Sequence, residues 1–310
     1  MKIAIVGTGA MGAIYAGLLA DAGNEVWAVD TWDEHLEVIA GRGLSVSGAS
    51  GDRVVKGIHV ASTPAEVGPA DLWVIATKAA DVDAVTGPIA ALLRPDDVVM
   101  PFQNGIGAGE RVAAVIPEAQ IVIGIAEGFG SSIPEPGAVH HNGMRLIRIG
   151  DMGGGLTDRA LGLEELWRDA GFNARAFADV EVMVWEKFIC NVTCSAPTAA
   201  FDMTVGEVMG NPDTRAVALG CTLEAHRLAV ARGVDLPFED PIAYVTDFAA
   251  SIPDASPSMR LDHLARRRSE VDVINGAVVD MSREAGFDAP YNETLCAVLR
   301  AREATFATGA

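Results

Sequence analysis

The sequence predicts an α/β protein, with a doubly wound parallel sheet in its N-terminal part and an all-helical C-terminal domain. Three observations predict this. Short apolar runs alternate with amphipathic stretches through residues 1–178, the pattern of a parallel sheet covered on both faces. A glycine-rich turn, Gly7-Thr8-Gly9-Ala10-Met11-Gly12, joins the first apolar run to the first helical one. After about Asp179 the strand signals stop, and residues 179–310 read as helices alone.

Residues 3–6 are strand-like, 10–22 helical, 25–30 strand-like and 33–40 helical, so a βαβ unit is complete by about residue 30. The run at 72–77 suits a buried strand and is followed by a helix over about 80–93. Further strands are expected at 97–100 and 120–125, with helical material at 107–116 between them. From Gly128 to Asp151, glycine, proline and alternating residues predict antiparallel strands; a helix at 158–170 and a strand near 174–177 close the first domain. The second domain is expected to hold helices at 181–194, 213–232, 241–250, 258–265, 271–285 and 293–305, broken by Gly233, Pro237, Pro253, Pro257, Gly286 and Pro290.

Composition narrows the function. Half of the residues are apolar, enough for a substantial core, while 42 acidic against 23 basic residues give a formal charge of −19. Such a field repels nucleic-acid backbones and anionic membranes, so neither is expected as a partner. The first residues lack a signal-peptide pattern and no apolar stretch is long enough to span a bilayer, which predicts a cytoplasmic protein. The four cysteines, Cys190, Cys194, Cys221 and Cys296, form no metal-binding spacing, and His140-His141 has no nearby carboxylates and reads as surface, so no metal site is expected.

The glycine turn matches GxGxxG in its required context: a strand before it, a helix with a small near face after it, and an acid, Asp30, at the end of the second strand. Gly7 permits the tight turn, Gly9 the approach of a pyrophosphate, and Gly12 close helix–sheet packing. The helix start at Ala10 and Met11 offers free N–H groups to that anion. Residues 1–178 thus read as a Rossmann-type dinucleotide-binding domain. Asp30 can accept hydrogen bonds from ribose hydroxyls, whereas a 2′-phosphate would meet a carboxylate with no Arg or Lys in Thr31-Trp32-Asp33-Glu34. NAD(H) is therefore expected over NADP(H). An Asp that merely caps the next helix fits Asp33 better than Asp30.

The chain has only four lysines, Lys2, Lys56, Lys78 and Lys187, so a lysine within an apolar segment calls for a local explanation. Lys187, Asn191 and Ser195 lie at i, i+4 and i+8 and share one helix face. On periodicity alone a face turned to bulk water is the expectation, because lysines are rarely buried, and a wet cleft is the alternative.

Several separated segments together resemble the ketopantoate reductase (2-dehydropantoate 2-reductase) family across essentially the whole chain. They are residues 185–198, Ala76-Thr77-Lys78-Ala79, Gln103-Asn104-Gly105, Ser258-Met259, and Ser269 to Gly276. The resemblance implies Lys187 as the catalytic lysine and Glu270 as an essential glutamate. It implies Asn104, Asn191 and Ser258 as substrate ligands, with Ser195 beside them, and Lys78 and Asn104 as cofactor contacts. A lysine ammonium beside a 2-oxo acid can polarise the carbonyl and protonate the alkoxide formed by hydride addition. Taken singly, Glu270 also fits a surface acid, Ser258 an N-cap after Pro257, and Asn104 a turn residue beside Gly105.

The chain departs from the family pattern on the substrate side. Ser195 stands where a second asparagine is frequent, residues 201–206 lack an asparagine, and Arg266-Arg267-Arg268 replaces a glycine-arginine pair and a common proline. Asp30 departs on the cofactor side, since most members use NADPH. The expected activity is hydride transfer between NAD(H) and a small 2-oxo/2-hydroxy acid, ketopantoate and pantoate being the leading pair. The alternatives are a different hydroxy acid on the same scaffold and a nucleotide-binding homologue without turnover. A homodimer is left open.

Overall fold

A computed structural model describes residues 1–306. The chain opens with β1 (Lys2–Val6), α1 (Ala10–Asp21), β2 (Glu25–Val29) and α2 (Asp33–Arg42). Ile3 to Ile5 of β1 are fully buried, as a central strand requires, and parallel pairing sets Ile5 opposite both Ala28 and Val74. The small face of α1 permits close packing: a side-chain carbon at Gly17 would come within 2.9 Å of Val46 Cγ2. Asp33 is the first residue of α2 and Trp32 its N-cap, so the capping role expected for Asp33 is not observed.

Between residues 44 and 67 lie β3 (Leu44–Gly48), β4 (Arg53–Val55), β5 (His59–Ala61) and α3 (Pro64–Val67), where the sequence reading assigned no element. These pieces are three to five residues long and are separated by glycines, too short to develop a period. The chain continues with β6 (Leu72–Ile75), α4 (Val82–Ala90), β7 (Val98–Pro101), α5 (Ala108–Ala113), β8 (Val122–Glu127), β9 (Gly130–Glu135), β10 (Ala138–Gly143), β11 (Leu146–Asp151), α6 (Asp158–Asp169) and β12 (Ala174–Phe177).

A five-stranded parallel sheet has the order β5-β2-β1-β6-β7. Two further sheets, β4-β3-β10-β9 and β12-β11-β8, mix directions: β10 runs antiparallel to β9 and parallel to β3, and β11 antiparallel to β8 and parallel to β12. The antiparallel strands expected over 128–151 are thus present but also take parallel partners. The core between sheet and helices includes Tyr15, whose ring lies 4.8–6.0 Å from those of Phe102, Trp167, Phe129 and Phe172.

Two buried histidines belong to the first unit. His35 Nδ1 accepts the Gly137 N–H at 2.9 Å, leaving Nε2 buried without a partner, and both ring nitrogens of His141 are buried unpartnered. The surface role expected for His141 is therefore wrong; His140 is exposed and bonds Ser47 Oγ at 2.9 Å. Burial holds the titration of both buried rings below the ordinary imidazole range. The unfolded chain takes up these protons below about pH 6.5 and the folded chain only at lower pH, so stability present above about pH 6.5 is lost progressively as pH falls below it. We expect the melting temperature to fall by several degrees between neutral pH and about pH 5.5, with a smaller fall in His141→Phe.

The second unit begins with the long helix α7 (Val180–Phe201), followed by α8 (Val205–Gly210), α9 (Pro212–Ala231), α10 (Pro241–Ala250), α11 (Ser258–Leu264), a 3₁₀ turn at Val271–Val273, α12 (Asn275–Glu284) and α13 (Pro290–Glu303). Helix α7 runs seven residues beyond the expected end, through Pro197, while the Thr198 hydroxyl bonds the Cys194 and Ser195 carbonyls. The helix expected over 271–285 is interrupted at Ile274, and Pro290, read as a breaker, opens α13 as its first residue.

Trp185, Phe188, Ile189, Val192, Ala196 and Ala199 form the buried stripe of α7. Each large side chain buried there contributes about 1.5–3 kcal/mol. Buried Asn275 donates to the Val192 carbonyl at 3.0 Å and to Asn292 Oδ1 at 2.7 Å, and Asn292 in turn donates to Glu224, joining α7, α9, α12 and α13. Contacts divide the chain into two compact units: Met1–Gln103 with Gly107–Val180, and Asn104–Ile106 with the chain from Glu181 on. No helix of the described residues is long and apolar enough to cross a membrane, and no cluster of three metal-ligating side chains occurs among them.

Candidate active site

In the first unit, Gly7 has φ +90°, and a side-chain carbon there would stand 2.5 Å from the Thr77 backbone nitrogen. One at Gly12 would stand 2.0 Å from the Gly7 carbonyl oxygen. These two glycines lock the turn against β6 and α1. At Gly9 the same carbon would meet nothing within 4 Å, so the loop presents bare backbone to open space. Gly9 is the N-cap of α1, no side chain caps the helix, and its first turn carries no acid. The N–H groups near Ala10 and Met11 thus face outward without a competing carboxylate, which suits a pyrophosphate.

Asp30 follows β2 directly. Its Oδ1 accepts the Trp32 N–H at 3.1 Å, which fixes the carboxylate at the strand's end, and the Trp32 ring stacks on His35 at 4.8 Å. Lys78 is exposed in the segment after β6. Arg111 secures the next turn by donating to the Ala79 carbonyl at 2.6 Å and to Asp83 at 2.8 Å.

The sequence marks Gln103 only as part of the Gln103-Asn104-Gly105 segment and gives it no role of its own. Its amide donates to the Ile75 and Thr77 carbonyls at 2.9 and 3.1 Å, tying the end of β7 to the end of β6 beside the glycine turn. Gln103 Oε1 and Thr77 Oγ1 are buried without protein partners. Such atoms next to an uncapped helix start and a bare glycine fit a polar ligand such as a dinucleotide.

In the second unit, Lys187 Nζ donates to Asn104 Oδ1 at 3.0 Å, and the lysine is only half exposed. An ammonium has donors only, so the contact fixes the Asn104 amide with its NH₂ turned away from the lysine. Asn104 is held by its neighbours: a side-chain carbon at Gly105, φ +84°, would lie 2.1 Å from the Val273 carbonyl, and Ile106 N donates to that carbonyl at 3.2 Å. Val273 ends the 3₁₀ turn whose N-cap is Glu270, half-buried. Backbone contacts therefore connect the Lys187–Asn104 pair to the segment carrying Glu270.

Asn191 is half-buried one turn beyond Lys187, and Ser195 is buried at 4% exposure, so the stripe passes into the interior along α7 instead of facing bulk water throughout. Ser258 is exposed at the first position of α11; Pro257 takes the N-cap, which removes the capping alternative for Ser258.

A parallel sheet opening on a GxGxxG turn, followed by a helical unit, is the architecture of a dinucleotide-dependent oxidoreductase. The family description "Ketopantoate reductase PanE/ApbA" matches residues 3–154, and "Ketopantoate reductase PanE/ApbA C terminal" matches residues 179–303. A 2-dehydropantoate 2-reductase of Halobacterium salinarum is 30% identical over 302 residues, covering 97% of this chain and 98% of the relative. The solved 2-dehydropantoate 2-reductase from Geobacter metallireducens superposes with a TM-score of 0.90 at 28% identity, over 97% of this chain and 99% of that one. A D-mandelate dehydrogenase solved with NADH and anilino(oxo)acetate also reaches 0.90, at 26% identity over 99% of each chain. The chain belongs to the ketopantoate reductase family and is an oxidoreductase acting on CH–OH groups.

Proposed function

We propose that the chain interconverts a small 2-oxo acid and its 2-hydroxy acid with NAD(H), ketopantoate and pantoate being the leading pair. The observation that carries this reading is the half-buried Lys187 ammonium held 3.0 Å from Asn104. The bound nicotinamide supplies or accepts the hydride. Lys187 polarises the carbonyl and gives a proton to the oxygen that becomes the hydroxyl; in the oxidative direction it takes that proton back. Asn104 fixes the ammonium and offers its NH₂ to substrate or cofactor. Glu270 orients the lysine or the substrate hydroxyl, while Asn191 and Ser258 hold the substrate with neutral hydrogen bonds. Gly7, Gly9, Ala10, Met11 and Gly12 would hold the pyrophosphate of a bound dinucleotide, Asp30 its ribose, and Lys78 would be a further cofactor contact.

Asp30 supports NAD(H) over NADP(H), because its fixed carboxylate would oppose a 2′-phosphate. Replacing Asp30 by Ser should raise the ratio of kcat/KM for NADPH to that for NADH by about tenfold or more, the scale of a removed like-charge contact. A ratio unchanged in Asp30→Ser would remove this support.

A second reading keeps Lys187 and Glu270 but takes a different 2-hydroxy acid. Ser195 favours it, since a buried hydroxyl offers fewer donors and less bulk than an amide, and so does the similarity to a mandelate dehydrogenase. A panel of 2-oxo acids with NADH, and of 2-hydroxy acids with NAD, separates the two. Best turnover of ketopantoate supports the first reading; its rejection beside a bulkier accepted acid supports the second.

A further inference from the structure

Glu303, the last residue of α13, is 8% exposed, and one of its oxygens gathers three contacts. Oε1 accepts the Ser269 N–H at 2.9 Å and the Ser269 Oγ–H at 2.6 Å, and lies 3.0 Å from His263 Nε2. Because this oxygen is the acceptor for Ser269, the imidazole carries its proton on Nε2; Nδ1 is buried without a partner. Ser269 immediately precedes Glu270. The preceding Arg302 donates to the Ala199 and Ala200 carbonyls at 2.8 and 3.3 Å, at the C-terminal end of the helix that bears Lys187. Two adjacent residues thus grip the two segments that carry Lys187 and Glu270. The loop between α11 and Glu270 contains Arg266 at φ +52°, a conformation unfavourable for a side-chain-bearing residue, so it needs such an anchor.

We propose that Glu303 is a positioning residue: by clamping Ser269 it fixes Glu270 relative to Lys187, with His263 holding the clamp from behind. This rests on the reading of Glu270 given above. A displacement of about 1 Å at a reacting group can lower turnover by about 100-fold, so a clamp on the adjacent residue acts on kcat. The cofactor loop belongs to the other compact unit and is built without Glu303.

The test compares Glu303→Ala, Glu303→Gln, Ser269→Ala and Glu270→Gln in the full chain, with NADH and the best 2-oxo acid of the panel. Glu303→Ala should lower kcat by about 10- to 100-fold, with the dissociation constant for NADH unchanged by fluorescence titration. Glu303→Gln keeps an acceptor oxygen and should restore kcat to within about threefold, and Ser269→Ala should lose about three- to tenfold. Wild-type kcat in both Glu303→Ala and Ser269→Ala, beside a loss in Glu270→Gln, would overturn the clamp alone. Wild-type kcat in Glu270→Gln would overturn the role of Glu270 and the clamp with it. Should Glu303→Ala fail to fold, Ser269→Ala decides the question by itself.

Discussion

Replacing Lys187 with alanine is expected to lower kcat by about 10²-fold or more, the usual contribution of a positioned proton donor. Dissociation of NADH should change little, because the glycine turn that would bind it lies in the other compact unit. The side chain is half exposed and donates to Asn104, and it takes no part in the buried stripe of α7, so its removal should leave the helix intact. Its neighbours Trp185, Phe188 and Ile189 carry the packing of α7. Lys187→Arg sharpens the experiment. Arginine keeps the positive charge but does not release its proton near neutral pH, so it should keep part of substrate binding and lose most of kcat. Steady-state kinetics at saturating NADH measures both variants. A Lys187→Ala enzyme within about threefold of wild-type kcat would place the proton donor elsewhere.

The second large effect is expected at Gly12. An alanine methyl there falls 2.0 Å from the Gly7 carbonyl oxygen and 3.3 Å from Ile5 Cγ2. The turn cannot give way, since Gly7 is itself pressed against the Thr77 backbone. Helix α1 must move off β1, at a cost of about 1–3 kcal/mol for overpacking, and the outward N–H groups of its first turn move with it. We expect Gly12→Ala to melt several degrees lower and to bind NADH at least about tenfold more weakly. Gly9→Ala provides the contrast. No atom lies within 4 Å of the added methyl, so folding should be nearly unaffected while dinucleotide affinity falls. Thermal melts and NADH titrations of both variants separate packing from binding; unchanged affinity in Gly9→Ala would contradict the assigned approach of the pyrophosphate.

How much could be read from the sequence depended on how far apart the interacting residues lie. Strands β1, β6 and β7 were legible because burial on both faces makes each an almost continuous apolar run, and β2 because its apolar residues follow directly after Glu25. The pieces between Leu44 and Val67 were not, because three to five residues carry no reliable period. Lys187 stood out as one of four lysines, placed in an apolar helix. Its contact with Asn104 spans 83 positions, and local pattern alone made Asn104 a turn residue. Glu224, Asn275, Asn292 and Glu303 went unnoticed as network members, because a polar residue on a helix looks solvated until other helices cover it. His141 misled for the same reason: nothing adjacent to it in sequence shows that Phe129 packs against its ring at 4.5 Å.

The central claim is hydride transfer to carbon 2 of a 2-oxo acid, with Lys187 supplying the proton. Deuterium tracing from reduced NAD labelled at the transferable position tests it most directly. The wild-type protein, given ketopantoate and a panel of related 2-oxo acids, should yield a 2-hydroxy acid carrying one deuterium at carbon 2, and Lys187→Ala should yield about 10²-fold less of it per unit time. Label lost to solvent, or no 2-hydroxy acid from any acid in the panel, would contradict the account.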